Sequence, residues 1–174
     1  MNKKIIIITA DPNSINSEII SKMWKKISNN TRKKIYLVGN YNLINRQFKK
    51  IKLVQKVIQV KNLSDHSFSP NLKIIDVPLD FKDPFKVSFK SASKYLIRSF
   101  RLANKLVKEK DVKGLINCPI NKKLIEKTNK VGVTEFFASI CKVIDKSEIM
   151  MIYNKSLSVV PLTTHIDLKD IPKK

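Results

Sequence analysis

The chain opens with an uninterrupted β-branched run, Ile5 to Ile8, and an amphipathic helical pattern follows it directly. A continuous apolar run of this length is typical of a strand buried on both faces, as in a parallel sheet. The helical pattern has apolar residues at i, i+3, i+4 spacing, namely Ile19, Ile20, Met23, Trp24 and Ile27. Ser17 is expected to cap this helix. We therefore predict a central, buried first strand with Trp24 packed near it.

The same alternation of apolar strands and amphipathic helices continues along the chain. Further strands are predicted at 35–38, 53–60, 72–77 and 114–117, with a final pair at 149–153 and 157–161 joined by a turn. Helices are predicted at 43–48, 88–108, 121–127 and 134–143, and residues 11–14 are predicted to form a turn. Strands that alternate with helices predict an α/β fold with a largely parallel sheet.

Glycine is scarce: the chain has three, Gly39, Gly114 and Gly132. Neither a G-x-G-x-x-G turn nor a Walker loop can be built from them, so an ordinary Rossmann or P-loop nucleotide site is excluded. If this protein uses a dinucleotide, it must bind it with another geometry.

Composition narrows the protein class further. No run approaches the roughly 20 apolar residues that a membrane helix needs, so no membrane association is expected. Two cysteines, Cys118 and Cys141, do not suggest a disulfide framework, and a cytoplasmic location is the expectation. They are interpreted as small core residues and not as nucleophiles.

The net charge of +21 raises the possibility of a nucleic-acid partner. However, the basic residues are almost all lysines, scattered along the whole chain, whereas phosphate and base recognition usually enlists arginine for its bidentate fork. Solvated lysine faces are therefore favoured over a nucleic-acid surface, which stays open as an alternative.

Three positions could carry chemistry. His165 follows two threonines at the end of an apolar strand, where it could ligate a metal or serve as a structural histidine. Thr134 opens a helix after Gly132, where it could contact a phosphate or simply cap the helix. Lys122 could meet an anionic substrate or remain a solvated side chain.

Four segments together resemble one enzyme family. Residues 11–18 (Asp-Pro-Asn-Ser-Ile-Asn-Ser-Glu) are similar to a Gly-Asp-Pro-Ala-Gly-Ile-Gly-Pro-Glu element with its glycines replaced, and residues 119–122 match a Pro-Ile-Asn-Lys loop. Residues 132–135 (Gly-Val-Thr-Glu) resemble Gly-His-Thr-Glu, and residues 163–165 are Thr-Thr-His. These are the motifs of the 4-hydroxythreonine-4-phosphate dehydrogenases of vitamin B6 synthesis.

The resemblance implies a fold similar to that of isocitrate and isopropylmalate dehydrogenases, a three-layer α/β/α arrangement in two domains. Residues 1–115 would form the first α/β domain, and 116–174 would begin a second, so the fold would be incomplete. It also implies a homodimer when full length and binding of NAD or NADP without the Rossmann fingerprint.

The resemblance also assigns roles to residues. Thr134 would bind the substrate's phosphate, and His165 would be one of three histidines that ligate a divalent cation (Zn, Mg or Co). Val133 replaces a phosphate-binding histidine, and no catalytic residue is assigned. The implied reaction is oxidation of 4-phosphooxy-threonine followed by decarboxylation, with this chain expected to be a fragment that is inactive alone. The alternatives are a diverged, non-catalytic α/β binding domain and a basic nucleic-acid-binding protein.

Overall fold

The computed structural model describes residues 3–128, 132–143, 148–161, 167 and 169–170, and its centre is a five-stranded parallel sheet. The strands are β1 (Lys4–Ile8), β2 (Ile35–Gly39), β3 (Val57–Val60), β4 (Leu72–Asp76) and β5 (Val112–Asn117). Their order across the sheet is β3-β4-β2-β1-β5, and every neighbouring pair is parallel. The predicted α/β fold with a parallel sheet is confirmed.

Helices connect most of these strands or follow β5, and they pack beside the sheet. They are α1 (Asn16–Lys26), α2 (Asn29–Arg32), α3 (Tyr41–Lys50), α4 (Phe89–Leu106), a 3-10 helix (Lys122–Thr128) and α5 (Val133–Ile140). Helix α1 packs on α3, whereas α4 packs on β1, β2, the 3-10 helix and α5. The chain reverses its direction across the sheet after β3, and right-handed crossovers then put α4 on the face opposite α1 and α3.

The first strand is central, as predicted. It pairs with β2 on one side and β5 on the other, so its backbone is hydrogen-bonded along both edges. Ile6 and Ile8 are completely buried and Ile7 nearly so, and Trp24 belongs to the same core. A run of β-branched residues suits a strand with helices on both faces, because neither face needs a polar side chain.

The cap predicted at Ser17 was wrong, and the alternative of Thr134 as a helix cap is excluded as well. Helix α1 begins at Asn16 with Ile15 in the cap position, and no side chain caps it. Ser17 lies inside the first turn, buried, so it cannot act as the cap. In α5 the cap position is Gly132, so Thr134 is not an N-cap either. Ser88 does cap α4, where its side chain accepts a hydrogen bond from the N–H of Ser91.

The strand predicted at 53–60 begins only at Val57, because the preceding residues close helix α3. Lys52 adopts a left-handed conformation with φ of 56°, and the N–H of Leu53 returns to the carbonyl of Phe48 at 2.8 Å. This six-to-one bond is the mark of a Schellman motif. Its αL residue is lysine instead of the usual glycine, so the helix end carries no residue that would predict it.

Other differences concern helix type and length. The segment predicted as a helix at 121–127 is a 3-10 helix, and α5 ends at Ile140 where a second left-handed residue, Lys142, closes it. Helix α2 was not predicted; it is a single short turn capped by Ser28, which accepts from the N–H of Thr31.

The last strands form a separate hairpin, β6 (Ile152–Tyr153) with β7 (Ser158–Val159), as the paired strands at 149–161 predicted. One continuous core runs from β1 to the 3-10 helix and α5, including Leu124, Ile125 and Phe136. The boundary between residues 115 and 116 stays a prediction. Among the residues described, no helix is long and apolar enough to cross a membrane.

Candidate functional site

The strand order predicts a ligand-binding crevice at the carboxyl ends of β1 and β5. From β1 the chain builds the sheet toward β2 and β4, and it then returns to add β5 on the other side of β1. In open α/β sheets such a point of reversal leaves a gap between the loops that follow the two strands, where ligands commonly bind. Here those loops are residues 9–15 after β1 and 118–121 after β5.

Asp11 joins the two loops across this crevice. Its Oδ2 accepts the backbone N–H of Asn121 at 3.2 Å, and its Oδ1 accepts the backbone N–H of Asn13 at 2.9 Å. The residue is 9% exposed, so its carboxylate is mostly withdrawn from water and relies on these donors. The second bond forms the turn that the sequence predicted at 11–14.

Asn16 makes a second link between the same loops. Its Nδ2 donates to the carbonyl of Thr9 at 2.9 Å and to that of Pro119 at 2.8 Å. Its Oδ1 is buried and has no hydrogen-bond partner among the described residues, and the same is true of Ser17 Oγ and Asn117 Oδ1. Unpaired buried polar atoms are uncommon in folded proteins, and this group lies beside the crevice.

The loop after β1 starts with an unfavourable backbone conformation. Ala10 has a φ of 58°, in the left-handed region that a residue with a β-carbon rarely adopts. It is 1% exposed, so surrounding packing holds it there. Strained backbone at a crevice is a recognised feature of functional sites.

Two amide side chains fasten this loop to the crossover between β4 and α4. Asn13 donates from Nδ2 to the carbonyl of Val87 and accepts the N–H of Val87 at Oδ1, both at 2.8 Å. Gln47 donates from Nε2 to the carbonyls of Pro12 and Pro84, both at 2.7 Å. The loop after β1 is therefore attached to the crossover twice, directly through its own asparagine and indirectly through the glutamine of α3.

A buried tyrosine links the residues that follow β1 to those that follow β2. Tyr95 Oη lies 2.8 Å from Thr9 Oγ1 and accepts the backbone N–H of Asn40 at 3.0 Å. Burial raises the pKa of this phenol, so it stays neutral. Asn40 in turn caps α3 through the N–H of Leu43, which fixes where that helix begins.

Cys118 lies directly after β5 but its environment is structural. It is 6% exposed, and burial raises the pKa of its thiol to about 11. A thiol of that pKa is almost entirely protonated at neutral pH and is a poor nucleophile. This agrees with its interpretation as a core residue, whereas the same interpretation was wrong for Cys141, which is exposed.

The predicted site residues fall in different parts of the structure. Thr134 is the second residue of α5, exposed, and its side chain makes no hydrogen bond to the described part of the chain. Lys122 begins the 3-10 helix and is also exposed. His165 lies outside the described residues, so the prediction that it shares a cleft with Thr134 stays a prediction.

No metal donor set is found in the part of the chain that the structure describes, where no three His, Cys, Asp or Glu side chains come together. The described residues do not by themselves fit a divalent cation. The metal role of His165 therefore rests on the motif resemblance alone.

Sequence reasoning assigned Asp11 and Asn13 only to a turn and did not assign Asn16 or Gln47 to a site. The available signal was the density of short polar side chains directly after a buried strand, which is where α/β ligands gather. Gln47 gave no such signal, since a glutamine in a helix ordinarily points to water.

The comparisons with known proteins agree with one another. The profile of the family described as Pyridoxal phosphate biosynthetic protein PdxA matches residues 31–174. A 4-hydroxythreonine-4-phosphate dehydrogenase of Aquifex aeolicus is 34% identical over 99% of this chain and 52% of its own length. One from Sulfurihydrogenibium is 30% identical over 98% of this chain and 52% of its own length.

A solved structure agrees in fold. The crystal structure of a 4-hydroxythreonine-4-phosphate dehydrogenase from Klebsiella pneumoniae superposes with a TM-score of 0.84 at 26% identity, over 99% of this chain and 53% of that one. The chain thus spans about half the length of the relatives that it matches.

Proposed function

Because the chain belongs to the Pyridoxal phosphate biosynthetic protein PdxA family, we propose that it supplies the amino-terminal half of a 4-hydroxythreonine-4-phosphate dehydrogenase. In this proposal the complete enzyme oxidises the 3-hydroxyl of 4-phosphooxy-threonine with NAD or NADP, and the β-keto acid so formed loses carbon dioxide. Its place would be the biosynthesis of pyridoxal phosphate.

One observation carries the proposal. Two of the segments that resemble the family's motifs, 11–18 and 119–122, are far apart in sequence but meet at the crevice between β1 and β5. The bonds from Asn121 to Asp11 and from Asn16 to Pro119 join them directly. Motifs that converge at the carboxyl edge of a sheet are better explained by a shared site than by independent structural needs.

Thr134 is proposed to bind the substrate's phosphate. It stands in the first turn of α5, where backbone N–H groups have no partner within the helix and the dipole favours an anion. Its exposed hydroxyl can add a donor. Val133 has no donor in its side chain, so only its backbone can assist, and the phosphate would be held with fewer side-chain bonds than the family's motif provides.

The cofactor and metal are also proposals. NAD or NADP would bind without a glycine-rich turn, which the scarcity of glycine requires. His165 would provide one ligand to a divalent cation, Zn, Mg or Co, and the remaining ligands would come from outside this chain. A homodimer of the complete enzyme is proposed on the same resemblance.

The test uses the complete gene product and the 174-residue chain side by side, with 4-phosphooxy-threonine, NAD or NADP, and a divalent metal. We expect turnover from the complete protein and none above background from the chain alone, since most of the metal ligands are absent from it. A complete protein that binds substrate without turning it over would favour the alternative of a non-catalytic binding domain.

Substitutions at Thr134 in the complete protein then test its role. Thr134→Ala should mainly raise KM, because a lost hydrogen bond to a charged phosphate is worth about 1.5–3 kcal/mol. Thr134→Ser keeps the hydroxyl and is the matched control, with KM near that of the parent. Equal KM values for all three proteins would remove Thr134 from the phosphate site.

A further inference from the structure

The exposed side of helix α4 is almost entirely cationic. Six of its residues are exposed, and apart from the first, Phe89, they are all lysine or arginine, namely Lys90, Lys94, Arg98, Arg101 and Lys105. Their spacing of three or four residues keeps them on one strip of the helix, within an arc of about 80° at 3.6 residues per turn. The helix contains no aspartate or glutamate. We call this strip the basic ridge.

The fold turns the basic ridge toward solvent. On the opposite side of α4, Ala92, Leu96, Phe100 and Ala103 are completely buried, and the helix packs there on the sheet, the 3-10 helix and α5. The apolar side of the helix is therefore used by the core, and the ridge is what remains for a partner. From its first to its last cation the ridge is about 22 Å long, since an α-helix rises 1.5 Å per residue.

The charges of the ridge are not neutralised within the described part of the chain, where none of the five cations forms a salt bridge. Three pairs of them stand four residues apart, and Lys94 has such a neighbour on each side. Like charges at this spacing destabilise a helix. Helix α1 shows the opposite arrangement, because its Lys22 is paired with Glu18 at 2.6 Å. A polyanion on the ridge would relieve the repulsion within α4.

The ridge has the residue types and the dimensions for a chain of phosphates. Arg98 and Arg101, two of the four arginines of the protein, lie one turn apart on it, and a guanidinium can bind a phosphate through two parallel hydrogen bonds. Each strand of duplex DNA carries one phosphate per 3.4 Å of its axis, so about 22 Å of ridge can face about six phosphates of one strand. The lysines are scattered along the sequence, but the fold collects three of them beside these arginines.

We propose that the basic ridge binds the phosphate backbone of a nucleic acid without reading its sequence. Contacts to phosphates carry no sequence information, and the ridge has no second set of groups for the bases. A second copy of the chain does not fit, because each copy carries a net charge of +21. An anionic membrane fits less well, since an interfacial helix inserts its apolar face and that of α4 is buried. The inference needs neither Thr134 nor His165, so it stands apart from the proposed reaction.

The test is the fluorescence anisotropy of a labelled DNA duplex of arbitrary sequence, titrated with the 174-residue chain at several salt concentrations. Four or five phosphate contacts should make log Kd rise with log salt with a slope of about 4, or roughly 0.9 per contact. Lys94→Gln/Lys105→Gln should raise Kd about tenfold or more and lower the slope by about 1.8. Arg98→Lys/Arg101→Lys keeps the charge, so the slope should stay the same while Kd rises through the loss of bidentate contacts.

The matched control is Lys25→Gln/Lys26→Gln, which removes the same charge from exposed positions in the last turn of α1, on the other face of the sheet. It should leave the slope unchanged and alter Kd less than about threefold, since distant charges act weakly through salt. Thermal unfolding checks that all variants are folded, and the ridge variant should be at least as stable as the parent because it loses repulsion.

The remaining outcomes decide between kinds of partner. Tighter binding of a single strand or of a duplex identifies the form of nucleic acid, and either supports the ridge. An equal loss of binding in the control variant would assign the effect to net charge and overturn the proposal. Vesicles that contain phosphatidylserine, or polyglutamate, bound more tightly than both nucleic acids at the same salt concentration would overturn it as well. Dehydrogenase turnover is not measured, so failure here leaves the proposed function intact.

Discussion

The backbone N–H of Asn121 donates to Oδ2 of Asp11 across 3.2 Å, although 110 residues separate the two in sequence. The bond connects the loop after the central strand to the loop after the edge strand. A carboxylate can make this connection more strongly than a neutral acceptor, because hydrogen bonds to charged groups contribute about 1.5–3 kcal/mol.

Replacing that carboxylate should weaken the fold. We expect Asp11→Ala to lower the free energy of unfolding by about 2 kcal/mol, since the N–H groups of Asn13 and Asn121 lose their acceptor. Urea unfolding followed by the fluorescence of Trp24 measures the change. Asp80→Ala, at an exposed carboxylate, is the control and should stay within about 0.5 kcal/mol of the parent. Equal stability of the two variants would show that the link between the loops is weak.

Gly39 should not tolerate a side chain. A β-carbon built there would lie 2.1 Å from Thr9 Oγ1, and Thr9 cannot easily move because it is buried against Tyr95. We expect Gly39→Ala to destabilise by about 1–3 kcal/mol, the usual cost of overpacking a core. Thermal or urea unfolding gives the value.

Two further variants separate crowding from any intrinsic effect of alanine at this position. Gly114→Ala has no atom within 4 Å of the new methyl group and should be neutral or slightly stabilising. Thr9→Ala combined with Gly39→Ala should recover part of the loss, so the two substitutions should be non-additive. Strict additivity would mean that contact with Thr9 is not the cause.

Stability should rise with pH in the alkaline range because of Lys73. Its Nζ donates to the carbonyls of Arg32, Lys33 and Ser69, and burial lowers its pKa from 10.5 to about 8. Between those values the unfolded chain binds more protons than the folded one, so the free energy of unfolding increases with pH; below about 8 the unfavourable burial of the charge is fully present.

Tyr36 limits this increase in the free energy of unfolding at the upper end of the pH range. Burial raises the pKa of Tyr36 from 10.0 to about 12, so above pH 10 the folded chain retains a proton that the unfolded chain has lost, and this group then lowers stability. Urea unfolding at pH 7 to 10 should show the increase, and Lys73→Met should flatten it. The same slope in parent and variant would exclude Lys73 as its origin.

The hairpin of β6 and β7 should make the chain associate with itself. It exposes large apolar side chains along most of its length, including Ile149, Ile152, Tyr153 and Leu157. Two strands without a covering layer are marginal, and a continuous apolar patch promotes contact between molecules. Sedimentation of the chain should show concentration-dependent association that Ile149→Lys/Tyr153→Lys reduces.

A substitution at an isolated exposed residue provides the control for this effect. Phe68 is 83% exposed on the loop between β3 and β4, outside the hairpin, and Phe68→Lys should leave the association unchanged. A parent chain that sediments as a monomer over the whole concentration range would contradict the prediction.

The sheet could be predicted because its signal is local. Ile5 to Ile8 can be buried on both faces only in a strand with cover on both sides, and the helices between strands carry their own periodicity. The ends of the helices were harder to predict from the sequence. Lys52 closes α3 in a conformation that lysine seldom adopts, and only contacts formed in the folded chain hold it there.

The candidate site was less predictable from the sequence than the sheet was. The motifs at 11–18 and 119–122 could be recognised along the sequence, but their contact depends on the strand order, which no local pattern reveals. Gln47 binds two carbonyls that lie 35 and 37 residues away, so its role follows only from the tertiary structure. Thr134 was recognisable from its motif, and its exposure at a helix start is compatible with the assigned role.

The two hydrogen bonds between Asn13 and Val87 make one backbone amide a measure of how often the loop beside the crevice opens. The N–H of Val87 is held by a side chain and not by a neighbouring strand, so it can exchange with solvent only when the loop after β1 lets go of the crossover. A single amide proton therefore records how often the loop opens. If a ligand binds in the crevice and holds that loop closed, hydrogen exchange at this one amide should slow. Exchange at the other amides of the chain can stay unchanged.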